Sequence, residues 1–159
     1  MTVDELNGST DADALFLRCC GSRRWARARA AARPFDGVGD VLDTADRIWH
    51  ALTPLDWREA FAAHPKIGER TGDGWAAGEQ AGASDASQVV RERLAEANRA
   101  YEARFGYIFI VCAAGKTADA MLAMAEERLQ HDPDRELRVA VEEQRNITRL
   151  RLSKLLATT

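Results

Sequence analysis

The chain has 159 residues, a length that supports one domain with its own buried core. Its 46% hydrophobic and 30% charged residues are the balance of an ordinary globule, without the compositional signature of a disordered chain. With 22 Lys and Arg against 25 Asp and Glu, the net charge of -3 excludes the electrostatic footprint of a general nucleic-acid binder.

In chain order, residues 1–13 are polar and acidic, without the apolar stretch of a leader, and no segment approaches membrane-spanning length. Apolar periodicity predicts a helix over 11–19, stopped by Gly21 and Ser22, which also caps a second over 23–32. The second ends at Arg33-Pro34, because a residue before proline is pushed out of the α region. The basic cluster from Arg23 to Arg33 lies in this Ala-rich stretch and reads as a solvated helix face. After the Asp36-Gly37-Val38-Gly39 turn, Val41, Leu42, Ala45, Ile48, Trp49 and Leu52 fall at helical spacing over 40–51. Thr53 is then an N-cap, with Pro54 at the first helical position and Asp56 three residues after the cap. That helix ends near Ala63, since Pro65 restricts His64.

A Gly-rich loop over 68–82 interrupts the pattern, and a helix follows over 84–105 with Val90, Leu94, Ala97 and Tyr101 in one stripe. The run from Phe105 to Cys112 is apolar, β-branched and aromatic, too short for an amphipathic helix and without a partner strand. It reads as a lone extended segment in a helical core. Gly115 and Thr117 open a helix to about residue 130, and Asp132-Pro133 opens a last one ending near Leu156. The expected fold is all-α, a single-domain multi-helix bundle over residues 1–159 with one short extended segment near 106–112. Cys19, Cys20 and Cys112 are odd in number and two are adjacent, so they are read as small buried hydrophobes in a reducing cytoplasm rather than as a disulfide framework.

Three places hold chemistry. His64 sits at a helix-to-loop break with its backbone fixed by Pro65 and apolar residues on both sides; it is a satisfied core or surface histidine, or a catalytic one. Glu79 and Gln80, among small residues near Trp75, either line a solvated loop or present an acid and an amide into an apolar pocket. On the last helix, with Leu137 set at zero, Arg151 falls at roughly 320° and Gln144 at roughly 340°, inside the apolar arc. A buried arginine needs an anionic partner, either an internal carboxylate or a carboxylate substrate. The histidines stand at 50, 64 and 131 without metal-ligand spacing, and no nucleotide loop or nucleophile elbow occurs, so neither a metal nor a cofactor is expected.

Five segments in order carry a resemblance: His64-Pro65-Lys66-Ile67-Gly68-Glu69-Arg70; Glu79-Gln80-Ala81-Gly82; Asn98, Tyr101, Phe105-Gly106-Tyr107 and Phe109; Ile147 with Leu150-Arg151-Leu152; and, near the start, Cys19-Cys20-Gly21-Ser22, Trp25 and Arg33-Pro34-Phe35. From about residue 6 to 156 the chain resembles the OHCU decarboxylases, where OHCU is 2-oxo-4-hydroxy-4-carboxy-5-ureidoimidazoline. The resemblance implies an all-helical homodimer that, without a cofactor, converts this small substrate to (S)-allantoin in the last step from urate. It implies His64 as the catalytic histidine and Pro65 as its substrate-contacting neighbour. Glu79 and Gln80 would be the acid-amide pair on the ring and ureido groups; in the mechanism these residues support, Glu79 would orient the imidazole or the ureido group. The backbone of Phe109, Ile110, Val111, Cys112 and Ala113 would be the substrate-binding strand, and Arg151 the arginine that holds an anionic or carbonyl group. One position departs: Ala76 stands where the family pattern has a serine, which removes one hydroxyl hydrogen bond to substrate, about 0.5–1.5 kcal/mol. A lyase or hydrolase acting on a related ureido acid, and a helical interaction module without catalysis, are the other two readings of the same residues.

Overall fold

The computed structural model describes residues 1–67, 79, 81 and 87–157. Among these the regular elements are helices: α1 (Val3–Gly8), α2 (Ala12–Cys19), α3 (Arg23–Ala31), α4 (Val38–His50), α5 (Pro54–Ala62), α6 (Gln88–Phe105), α7 (Ala118–Arg128) and α8 (Pro133–Ala157). Residues 107–113 are neither helical nor paired as a strand, and they occupy the place of the segment expected to be extended. Among the described residues no helix is long and apolar enough to cross a membrane.

Short-range chemistry explains most helix starts. Ser22, Ser87 and Thr117 each accept a hydrogen bond from the amide three residues on, satisfying one of the free amide donors of a first turn. Thr53 and Asp56 cap α5 reciprocally: the Thr53 amide donates to Asp56 Oδ2 at 3.2 Å. Gly106, at φ 81°, closes α6 in the left-handed conformation that a glycine adopts without strain. Two boundaries differ from expectation. α4 begins at Val38 rather than at 40, and Glu79 and Ala81 are helical although they fall in the predicted Gly-rich loop. α1 was not expected at all; its Thr2-x-x-Glu5 capping box is the signal in the sequence, with Leu6 its one buried residue.

The described chain divides into two compact units, residues 1–60 with 145–157, and residues 61–144. In the first, Phe16 meets Trp25 and Phe35 edge-on, at ring-centroid distances of 5.9 and 6.1 Å. The Trp25 indole donates to the Ala45 carbonyl at 3.2 Å. Asn7 pairs with both backbone groups of Phe35, at 2.8 and 3.0 Å. Arg33 donates to the carbonyls of Leu6, Asn7 and Ser9, which takes up acceptors at the end of α1. In the second unit α6 packs on α7, and Leu94, Ala97, Asn98, Tyr101 and Phe105 form the buried stripe of α6.

The expected solvated basic face of α3 is corrected at two positions: Arg33 is the cap just described, and Arg29 is wholly buried. The Arg29 guanidinium lies 4.7 Å from the ring centre of Phe16, 4.9 Å from Phe35 and 5.4 Å from Trp25. Among the described residues its three nitrogens have no hydrogen-bond partner, and burial pushes its pKa down to about 10. The aromatic faces return about 2 kcal/mol when desolvated, less than the several kcal/mol that burying a charge costs. Arg29→Met, which keeps a long side chain among the rings, is therefore expected to raise the thermal midpoint by about 3–10 °C, read by circular dichroism melting.

Candidate active site

His64 follows the last turn of α5, where its amide donates to the Phe61 carbonyl at 3.2 Å. The ring is half-buried, and its Nε2 lies 2.6 Å from Oε1 of Gln144, a fully buried residue of α8. An amide oxygen only accepts, so Nε2 carries a proton and the basic nitrogen of the neutral ring is Nδ1. Downstream, Lys66 pairs with Glu102 at 3.0 Å, and the Asn98 side chain donates to the Ile67 carbonyl at 3.2 Å. α6 thus holds the backbone on the far side of Pro65, which is itself half-buried. Gln144 was placed on the buried arc by helical geometry, but its bond to a histidine 80 residues away was not foreseeable from spacing.

Glu79 is buried, and its charge is among those that bear on the Cys112 thiol, so the two are neighbours. Ala76 and Gln80 lie outside the described residues. Phe109, Ile110, Val111 and Ala113 are buried and Cys112 is half-buried. Among the described residues, the backbone amides of Phe109 to Cys112 donate to no other group. The carbonyls are held instead: Arg128 donates to Ile110 at 2.6 Å and Lys116 to Cys112 at 2.5 Å.

Arg151, in the other unit, is buried as the helical arc requires, and its Nη1 donates to the Arg18 carbonyl at 3.3 Å. Cys19 and Cys20 are close enough for its charge to act on both thiols. Burial dominates there and pushes Cys19 up to about 11 and Cys20 up to about 12. A thiol protected in the fold but ionisable in the unfolded chain makes stability fall as pH rises from about 9 towards 11, because the native state then binds more protons. Melting between pH 8 and 11 is expected to show that fall, and Cys19→Ala with Cys20→Ala to flatten it. Among the described residues no cluster of His, Cys, Asp and Glu is of the kind that holds a metal ion.

A set of residues that sequence reasoning missed is buried beside the 109–113 segment. Glu136, in the first turn of α8, is fully buried and takes Arg128 Nε at 2.9 Å and Nη2 at 2.6 Å on Oε2. The Tyr101 hydroxyl donates to the same oxygen, and burial first, then Glu136, pushes the phenol pKa far up, so it stays a donor. His131 Nδ1 lies 3.1 Å from Glu136 Oε1. The sequence held a signal: Arg in the last turn of one helix and Glu in the first turn of the next, across the Asp132-Pro133 turn.

An all-helical chain with a half-buried histidine held by a buried amide, and a buried acid beside a backbone segment whose amides bond to no other described residue, has the features of a small-molecule enzyme. The family model of OHCU decarboxylase matches residues 7–153, and the chain belongs to that family. The chain is 36% identical over 148 residues to the uric acid degradation bifunctional protein TTL of Arabidopsis thaliana, an alignment covering 87% of this chain and 45% of that longer protein. It is 30% identical over 138 residues to the 2-oxo-4-hydroxy-4-carboxy-5-ureidoimidazoline decarboxylase of Mus musculus, covering 82% of this chain and 78% of that one. A crystal structure of an OHCU decarboxylase in the presence of (S)-allantoin superposes with a TM-score of 0.83 at 36% identity, over 91% of this chain and 98% of that one.

Proposed function

We infer that this chain is a carboxy-lyase that decarboxylates OHCU to (S)-allantoin in urate degradation. The observation that carries this reading is family membership over residues 7–153. Decarboxylation leaves an electron pair, and enzymes commonly bind a cofactor to hold it. In OHCU the conjugated nitrogens of the imidazoline ring serve instead: the C4–carboxylate bond breaks, its electrons enter the ring, and CO2 leaves. The protein's part is then orientation, desolvation and proton transfer.

His64 is the acid-base group. With Nε2–H engaged by Gln144, Nδ1 is the atom that takes the proton of the 4-hydroxyl or pairs with it as CO2 departs. A proton is then delivered to one face of the ring, which makes a single enantiomer. Glu79 orients the imidazole or the ureido group, with Gln80 beside it, and Pro65 shapes the wall next to the histidine. The backbone donors of Phe109 to Ala113 meet the substrate's carbonyl and carboxylate oxygens, and Arg151 holds an anionic or carbonyl group. Ala76 provides no hydroxyl for that substrate. No cofactor or metal takes part in this scheme. The working form is a homodimer of single-domain chains, free of nucleic acid and membrane, in the cytoplasm; three free cysteines, two of them deeply buried, support that compartment.

The test is chemical. OHCU made freshly from urate with the two preceding enzymes is mixed with this protein, and the optical activity of (S)-allantoin is followed against the slow racemic background. Fast appearance of one enantiomer is expected. A signal no faster than background would remove the activity while leaving the fold intact.

A further inference from the structure

Arg128 grips two consecutive residues of the 109–113 segment in two different ways. Its guanidinium lies 4.6 Å from the ring centre of Phe109, and its Nη1 donates to the carbonyl of Ile110 at 2.6 Å. Nε and Nη2 both donate to Glu136 Oε2, at 2.9 and 2.6 Å, and Nη2 also donates to the Tyr101 hydroxyl at 3.4 Å, so the guanidinium plane has little freedom to turn. Glu136 is itself held by Tyr101, whose ring packs edge-on against Phe109 at 5.4 Å. Phe109, Ile110, Tyr101, Arg128 and Glu136 are all buried, so no water competes for these bonds.

A buried ion pair of this kind is a poor source of stability, because desolvating both charges costs about as much as their attraction returns. What it does supply is direction. A planar cation fixed on two edges can hold one carbonyl at one place, which a lysine or an apolar side chain cannot.

We propose that Arg128, locked by Glu136 and Tyr101, is a positioning residue that sets the backbone register of 109–113 and thereby aims its amide donors at the substrate. This rests on the reading of that segment as the substrate-contacting backbone. Arg128 does not touch the substrate; it acts through the Ile110 carbonyl. Misaiming a set of donors that bind substrate and transition state alike raises KM and leaves kcat nearly unchanged.

The experiment compares wild type, Arg128→Lys, and the double variant Arg128→Met with Glu136→Gln, which removes both charges and keeps an acceptor for Tyr101. Folded fraction is set by circular dichroism, and kcat and KM are measured per folded protein with fresh OHCU. Each variant is expected to raise KM about tenfold, with kcat within about threefold of wild type. If Arg128→Lys does not fold, the double variant carries the comparison alone, and Tyr101→Phe, which removes one oxygen and keeps the ring, is expected to move KM about threefold in the same direction. Wild-type KM in the folded variants would overturn the positioning role and leave a purely structural pair. An inactive wild type would instead sink the functional reading, so the two failures are distinct.

Discussion

His64→Asn is expected to lower kcat about 10² to 10⁴-fold, the range that general acid-base groups contribute. The size follows from the ring's geometry. Gln144 fixes a proton on Nε2, and the neutral ring then has one basic nitrogen, Nδ1, in one orientation. Asparagine keeps a polar group at the helix end and removes the imidazole, and with it the ring's proton-transfer chemistry. The fold is expected to be nearly unaffected, because the position is half-buried and the exchanged hydrogen bond is worth about 1 kcal/mol. The measurement is steady-state formation of (S)-allantoin beside a melting curve. Activity within about threefold of wild type would remove His64 from the chemistry.

The second large effect concerns stability. Glu136→Leu leaves the guanidinium of Arg128 buried with its counter-charge gone and deprives the Tyr101 hydroxyl of its acceptor. Removing one partner of such a pair costs about 3–5 kcal/mol. For a chain of this size that lowers the thermal midpoint by about 6–20 °C, to be read by scanning calorimetry. The double variant Arg128→Met with Glu136→Gln is expected to recover most of the loss, since no charge is then left alone. A double variant as unstable as Glu136→Leu would show that the pair contributes net stability, contrary to the ordinary balance of buried ion pairs.

Together the two results separate what the residues of the second unit do. On the proposed reading His64 stands at the chemistry, and its replacement is expected to spare the fold. Arg128 and Glu136 are needed in balance for folding, and only Arg128 reaches the segment proposed to meet substrate. Their effects are expected to fall on different observables: kcat for the first, the melting midpoint and KM for the others.

The sequence by itself determined the local structure. Ser22 and Thr53 cap helices as read, and Thr117 starts one as read, because a cap is a bond to an amide three residues away. The spacing of apolar residues on the last helix determined that Arg151 and Gln144 would be buried, since one helix carries its own ruler of 100° per residue, and both are. Membership of the family was legible too, through short segments such as His64-Pro65-Lys66-Ile67-Gly68. What only the tertiary structure decided is which buried polar groups meet. Arg29 reads from sequence as one arginine in a solvated run, and becomes caged only when Phe16, Trp25 and Phe35 fold around it. His64 and Gln144 are joined across 80 residues, and Arg128 reaches back 18 residues to the carbonyl of Ile110. Caps and stripes depend on neighbours along one helix, whereas these bonds depend on distances of about 3 Å between separate segments, which packing alone sets.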